Sequence, residues 1–263
     1  MASCARVITE SGSLQACLPD HIQNCYVQLI ADLGERLSFV KRSFTRVCVL
    51  GDHLALVVKA VRACYPHADI HTVAIPSFVK KPLKNIDMGS YDLVVDWERL
   101  HREEDPQEKL IQARNLLKDG GLYIGGCWGN ETLHSFHKTL INTDLMVFDK
   151  AYQRLLPFIK PQSVAQLLQY ASFSLPVCDW DRIQVKYARV EDVLRDLMVH
   201  TGIPLLGYPV TSTYLRVLQQ NFSHDHAEKA LSFDWLWFMG WAPIVSKSLS
   251  KSDSCSFARK ERT

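Results

Sequence analysis

The stretch "RVCVLGDHLALVV", residues 46–58, decides the fold, because it joins an apolar strand to an amphipathic helix through a single glycine. The strand runs directly into Gly51, and helical spacing of apolar residues begins at Leu54. This pattern is typical of the first unit of an open α/β sheet, which binds ligands at the carboxyl ends of its strands. Asp52 and His53 stand where a ligand-binding turn would carry further glycines.

Strand and helix patterns alternate from residue 46 to residue 128, which predicts a mostly parallel, Rossmann-like α/β sheet with right-handed crossovers and helices on both faces. Helical segments are inserted at roughly 130–165 and 203–230, and residues 203–228 carry no decisive pattern. The predicted strands are 47–50, 68–75, 91–96, 122–128, 178–187 and 233–243. The predicted helices are 19–40, 54–64, one from Asp105 to the "KDGG" stop at 118–121, one capped by Asn130, 161–173 and 190–202.

The chain has 263 residues, of which 47% are hydrophobic, enough for one sizeable core. The formal net charge of +2 is too balanced to predict binding to nucleic acid or to an anionic membrane surface. No run approaches ~20 apolar residues, so we expect no membrane span. We predict an N-terminal tail at 1–18, one domain at 19–245, and a basic, Ser-rich disordered tail at 246–263.

The eight cysteines include no C-x-x-C pair, and several lie within apolar patterns. They are typical of reduced thiols that serve as small core residues, with a disulfide or zinc framework as the alternative. His134 and His137 are three residues apart on a predicted helix, and "HDH" at 224–226 lies in a polar turn. Neither has the converging ligand set of a metal centre, so we expect no metal.

The second strand ends in "TVAIP", residues 72–76, which contains no carboxylate. In a dinucleotide-binding fold, an acid at this point accepts hydrogen bonds from the ribose hydroxyls. Losing such an ionic acceptor costs roughly 1.5–3 kcal/mol, which is about a 10- to 150-fold loss of affinity. Asp52 could supply part of that interaction from a new direction.

Acidic residues follow the third apolar strand, where Asp96 and Glu98 flank Trp97. These acids could bind a cation or a substrate arginine, or act as general bases. The interpretation that we favour is a pair of solvated loop acids beside neighbouring arginines. His101 lies close by, and a lone histidine of this kind is typical of a hydrogen-bonded packing residue.

The fourth strand is followed by Trp128, Gly129 and Asn130, which places them at the ligand end of the sheet. They could form a pocket wall, although Asn130 has the alternative role of a helix cap. Trp235, Trp237 and Trp241 alternate along the last strand and belong either to the core or to a partner surface.

Several stretches, taken in order, resemble a known family: "RVCVLGDHLAL", "YDLVVDWERLHREED", "NLLKDGGLYIGGCWGNETLHSF", "LPVCDWDRIQVKY", "VEDVLRDLMVHTG" and "MGWAP". The chain is similar to class I S-adenosylmethionine-dependent methyltransferase-fold proteins. Within them it resembles the bacterial and mitochondrial group of complex I assembly factor 5, related to the malonyl carrier-protein methyltransferase of biotin synthesis. The likeness spans about residues 30–245.

The resemblance implies a seven-stranded sheet and a cofactor site. We expect Gly51, Asp52, His53, Ala74, Ile75, Asp96, Trp97 and His101 to line it. The sequence departs from the family pattern there, since the later loop glycines and the acid after the second strand are absent, and Asp96, Trp97, Glu98 and Arg99 replace small or apolar residues. These departures predict that S-adenosylmethionine binding is weak or lost. No catalytic residue is identified.

Three roles follow from the resemblance: methyl transfer, arginine hydroxylation as in mitochondrial assembly factor 5, or a non-catalytic role in respiratory-complex assembly. Our hypothesis is a methyltransferase-fold protein with a degenerate cofactor loop that modifies or assembles a partner protein, such as a complex I subunit. The alternative is a functional S-adenosylmethionine-dependent methyltransferase with atypical contacts. The expected location is the bacterial cytoplasm, or the mitochondrial matrix in a eukaryote.

Overall fold

A computed structural model describes residues 6–9, 14–16, 21–51, 54–74, 86–155, 157–199, 205, 210–226 and 230–244. The described strands form one sheet with the order β2-β1-β7-β8-β6-β5-β3-β4. They are β1 (Arg6–Thr9), β2 (Leu14–Ala16), β3 (Arg46–Gly51), β4 (Asp69–Ala74), β5 (Tyr91–Trp97), β6 (Leu117–Trp128), β7 (Ser174–Val185) and β8 (Leu231–Trp241).

The centre of the sheet is parallel, as the alternation of strands and helices predicts. β4, β3, β5 and β6 run in one direction, and β8 pairs antiparallel with both β6 and β7. Among the described residues the sheet has eight strands, so the seven strands that the resemblance implies are not confirmed. The two short strands β1 and β2 lie in the segment that the sequence assigned to an N-terminal tail, where β1 pairs with β7.

Helices cover both faces of the sheet. One core cluster packs side chains of α1, α2, α4, α6 and α7 against one face. A second cluster packs α3 and α5 against the other face. The helices are α1 (His21–Phe39), α2 (Leu54–Cys64), α3 (Pro106–Leu116), α4 (His134–Phe148), α5 (Pro161–Tyr170), α6 (Val190–Val199) and α7 (Ser212–His226).

Element boundaries follow local chemistry where a cap is present. Asp105 accepts a hydrogen bond from the Glu108 backbone N–H at 3.0 Å, and Pro106 is the first residue of α3, as the sequence predicts. The predicted end of this helix at "KDGG" is wrong, because β6 begins at Leu117 and includes that segment. Glycine is nevertheless needed at position 120, whose φ is +72°.

The prediction that Asn130 caps a helix is also wrong. α4 begins at His134, after a turn in which Leu133 takes a left-handed backbone with φ of 57°. The undecided segment 203–228 contains α7, and the predicted tail 246–263 lies outside the described residues. Within the described part of the chain, no helix has the length and apolar character needed to cross a membrane.

Candidate functional site

The parallel strands β3, β5 and β6 end at one edge of the sheet, at Gly51, Trp97 and Trp128. This carboxyl edge is where ligands of open α/β sheets bind. Ala74 ends β4 beside Gly51. Asp52, His53 and Ile75, which the sequence assigned to the cofactor site, lie outside the described residues, and so does the side chain of Ala74.

Gly51 is fixed by the neighbouring strand. Its φ is +113°, a backbone conformation that strains any other residue. A Cβ atom placed there would lie 1.9 Å from the carbonyl oxygen of Trp97 on β5. The glycine that the sequence retains is therefore required by the packing of β3 against β5, whether or not a ligand approaches it.

Asp96 is fully buried at the end of β5 and is held by three groups. Arg99 donates from Nε at 3.1 Å and from Nη2, and the Tyr123 hydroxyl donates at 2.9 Å. Burial and the adjacent Asp96 charge raise the pKa of Tyr123 well above its usual value. The Asp96 carboxylate is thus paired with the Arg99 guanidinium and hydrogen-bonded inside the protein.

Glu98 is the second acid of this edge, and it is also buried. Its backbone is left-handed, with φ of 56°, which is uncommon for a residue other than glycine. One carboxylate oxygen accepts from Tyr26 Oη, from Trp128 Nε1 at 2.9 Å and from Arg102 Nη2 at 3.1 Å. Burial, followed by the Glu98 charge and hydrogen bond, raises the pKa of Tyr26 well above its usual value.

Asp96 and Glu98 are therefore buried, and the interpretation that they are solvated loop acids is wrong. The expected arginine neighbours are present, but the two ion pairs are internal: Arg99 and Arg102 have side-chain exposures of 4% and 7%. Burying an ion pair costs desolvation free energy. This cost is recovered only when the hydrogen bonds of both partners are well satisfied. Arg99 also contacts Glu103 at 3.1 Å, which extends the network toward the surface.

Four tryptophans fill the interior beside these acids. Trp97 and Trp128 each have a ring centroid 4.9 Å from that of Trp235, and Trp97 lies 5.8 Å from Trp237. Strand register produces this cluster, since Trp128 pairs directly with Trp235 and Gly126 pairs with Trp237. Trp97, Trp128 and Trp235 are fully buried, so the described carboxyl edge is occupied by aromatic rings.

His101 lies in a short 3₁₀ turn, Leu100–Arg102, and is 7% exposed. Its ring stacks on Phe158 with a centroid distance of 6.2 Å. Burial, followed by the Arg102 charge, lowers the pKa of the imidazole well below its usual value, so the ring is neutral at physiological pH. His101 is therefore a buried, neutral ring packed on Phe158.

Three buried polar atoms at this edge have no hydrogen-bond partner among the described residues. They are Trp97 Nε1, Trp235 Nε1 and His101 Nδ1. Buried polar atoms are usually hydrogen-bonded, so these three atoms favour an additional polar molecule at this edge.

Other predicted candidates do not join this site. Asn130 lies in the turn after β6, where its amide contacts Glu131 at 2.6 Å. His224 contacts Asp225 at 3.1 Å on α7. Across the described ranges, no three His, Cys, Asp or Glu side chains are placed to hold a metal ion. The five cysteines among those residues are free thiols.

Sequence reasoning missed Tyr26, Tyr123 and Phe158 as members of the site. Tyr26 lies on α1 and contacts Glu98, 72 residues away in sequence. No local pattern marks such a contact. The alternation of tryptophans on β8 was the available signal for the aromatic cluster.

Comparison with known proteins finds arginine-hydroxylases and methyltransferases among the relatives of this chain. The chain is 25% identical over 167 residues to the mitochondrial arginine-hydroxylase NDUFAF5 of Danio rerio, covering 61% of this chain and 52% of that protein. It is 25% identical over 176 residues to malonyl-[acyl-carrier protein] O-methyltransferase 1 of Coxiella burnetii, covering 66% and 55%. The chain therefore spans about half the length of these relatives.

No family model matches the chain. Among solved structures, phosphoethanolamine N-methyltransferase 2 of Haemonchus contortus aligns with a TM-score of 0.48 and 11% identity, covering 82% of this chain and 52% of that one. A likeness at this level adds nothing to the evidence from the sequence relatives.

Proposed function

We propose, from the premise that this chain belongs to the class I methyltransferase family, that it has a degenerate cofactor site and acts by binding a partner protein. The partner that the family resemblance suggests is a subunit of respiratory complex I, which the chain would help to modify or assemble. A mitochondrial matrix location belongs to the same proposal if the source is eukaryotic.

The proposal that the cofactor site is degenerate rests on one observation, that side chains fill the carboxyl edge of the sheet. S-adenosylmethionine would need room beside the ends of β3 and β5, but Gly51 faces the Trp97 carbonyl there and Trp97 itself is fully buried. Asp96 is already engaged by Arg99 and Tyr123. This arrangement of the described residues supports weak or lost binding of the cofactor, and we derive no methyl-transfer step.

The same geometry disfavours arginine hydroxylation at these acids. A substrate guanidinium would have to replace Arg99 on Asp96 or Arg102 on Glu98, and both arginines are almost completely buried. Removing one member of a buried pair costs about 3–5 kcal/mol. This supports a binding role in assembly over a chemical role at the carboxyl edge.

A working methyltransferase with atypical contacts is the second candidate. The unsatisfied Trp97 Nε1 and His101 Nδ1 favour it, because acceptor atoms of a ligand could pair with them. Reaching them would require the aromatic cluster to rearrange. Asp52 is the further contact that the sequence suggests for this candidate.

Titration calorimetry with S-adenosylhomocysteine separates the two candidates. A degenerate site predicts no binding heat and no shift of the melting temperature at millimolar ligand. A dissociation constant at or below ~10 μM, about 7 kcal/mol of binding free energy, would overturn that reading and support the working enzyme. An unrelated methyltransferase that binds the ligand is the positive control for the titrant.

Affinity capture tests the partner role. The tagged 263-residue chain, expressed in respiring cells, is expected to retain a complex I subunit, and the same yield is expected with and without added S-adenosylhomocysteine. Recovery of no more complex I subunit than a tag-only control recovers contradicts the assembly role. A yield that depends on the added ligand contradicts the cofactor-independent mechanism.

A further inference from the structure

A groove of about 630 Å³ lies between the end of α1 and the neighbouring strands β7 and β8, away from the carboxyl edge. It extends along β8 from Trp237 to Trp241, four residue steps or about 13 Å of strand. Trp241 pairs with Leu122, near the amino-terminal end of the parallel part of β6. The groove therefore begins at Trp237, a member of the aromatic cluster, and extends from there toward the opposite end of the sheet.

The floor of the groove is apolar and spans three adjacent strands. Val177, Met239 and Ile124 are cross-strand neighbours on β7, β8 and β6. Trp237 and Trp241 stand on either side of Met239 along the same face. Phe39, at the end of α1, is 73% exposed at the rim, and Val177 is 51% exposed. Removing apolar side chains of this size from water lowers the free energy of the system, so a ligand that covers them is stabilised.

Cationic side chains line the α1 side of the groove, but they are not equivalent. Arg36 is paired with Asp179 at 3.2 Å and with Asp181 at 3.5 Å. Arg42 donates to the carbonyl of Gly120 and lies 5.9 Å from the Trp241 ring, which fixes its position. Within the described part of the chain, neither Lys41 nor Arg42 has a carboxylate partner.

We propose that this groove is a binding site for a small amphipathic anion, a medium-chain carboxylate or a molecule of the same chemistry. The apolar portion would lie on Val177, Met239 and Trp241, and the carboxylate would pair with Lys41 and Arg42. A volume of 630 Å³ is within the range of small-molecule sites, which are mostly apolar with a few placed polar groups.

The charge of the rim argues against the chain's own C-terminal segment as the occupant. Residues 245–263 follow Ile244, whose side chain is adjacent to Gly120, so this segment starts close to the groove. It contains five Lys or Arg residues and two acids. A net positive segment would be placed beside two cations that lack a carboxylate partner in the described structure, whereas an anionic ligand would complement them.

Calorimetry on the 263-residue chain with decanoate, decanol and decyltrimethylammonium tests the proposal. We expect one molecule of decanoate to bind at least about tenfold more tightly than decyltrimethylammonium, with decanol in between. Val177→Trp fills the groove from an exposed position and should weaken decanoate binding by about tenfold or more. Lys41→Glu should weaken it by about fivefold, which corresponds to an exposed ion pair of about 1 kcal/mol.

Lys59→Glu is the matched control, because it makes the same charge change at an exposed position on α2, outside the groove. Its decanoate affinity should stay within about twofold of the unmodified chain. Decanoate binding that is no tighter than that of the cation, or that survives Val177→Trp, overturns the proposal. Absence of decanoate binding by calorimetry at two temperatures, which detects binding whose enthalpy is near zero at one of them, overturns it as well.

Discussion

Replacing Gly51 by alanine tests whether the sheet, rather than a ligand, requires this glycine. The added Cβ would lie 1.9 Å from the Trp97 carbonyl oxygen, and the backbone would keep a φ of +113°. Backbone strain of this kind costs about 1–3 kcal/mol, and overpacking a rigid site costs about 1–3 kcal/mol more. We therefore expect Gly51→Ala to lower the free energy of unfolding by about 3–5 kcal/mol.

Two other glycines provide matched controls. Gly89 also has a positive φ, of 60°, but a Cβ there meets no atom within 4 Å, so Gly89→Ala should cost only about 1–2 kcal/mol of backbone strain. Gly34 lies within α1 with open space around it, and Gly34→Ala should stabilise the protein by about 0.5–1 kcal/mol.

Urea unfolding followed by far-ultraviolet circular dichroism gives the three free energies under identical conditions. The ordering Gly51, Gly89, Gly34 from most to least destabilised is the expected result. A Gly51→Ala variant no less stable than Gly89→Ala would refute the conclusion that β3 closes against β5. The glycine would then be free to serve a ligand, as the family pattern implies.

Two further perturbations test other parts of the described structure. Arg154 and Asp144 form a fully buried pair with a shortest distance of 2.6 Å, so Arg154→Met should cost about 3–5 kcal/mol by thermal or urea unfolding. Adding Asp144→Leu should recover most of that loss, and a double variant no better than the single one would contradict it. Although burial would raise the pKa of Asp92, hydrogen bonds from Thr45 and Lys118 outweigh it and lower the pKa to about 2. Since this pKa lies below the unfolded value, Asp92 stabilises the fold by about 2 kcal/mol above pH 5 and loses this effect as the pH falls toward 2. Urea unfolding should therefore find Asp92→Asn destabilised at pH 7 and nearly equal to the unmodified chain at pH 2; a difference independent of pH would contradict the assignment.

Local patterns predicted most elements of the fold. The cap formed by Asp105, Pro106 and Glu108 fixes the start of α3, and the apolar runs of β3 and β5 mark buried parallel strands. Boundaries without a cap were less well predicted. The start of α4 depends on the left-handed Leu133, a conformation that a leucine gives no reason to expect.

The environment of the site could not be predicted in the same way. Whether Glu98 is solvated depends on its left-handed backbone and on Tyr26, a residue of a distant helix. The aromatic cluster depends on the register between β6 and β8, which sets Trp128 opposite Trp235. Register and long-range pairing arise from the whole sheet, so no window of sequence contains them.

Determining the crystal structure with millimolar S-adenosylhomocysteine tests the central claim most directly. The claim is that the side chains of the protein itself fill the carboxyl edge. We expect no ligand density beside Gly51 and Asp96, with Trp97 still packed on Trp235 and Arg99 still paired with Asp96. Ligand density in that position, beside an unshifted β3 and β5, would contradict it.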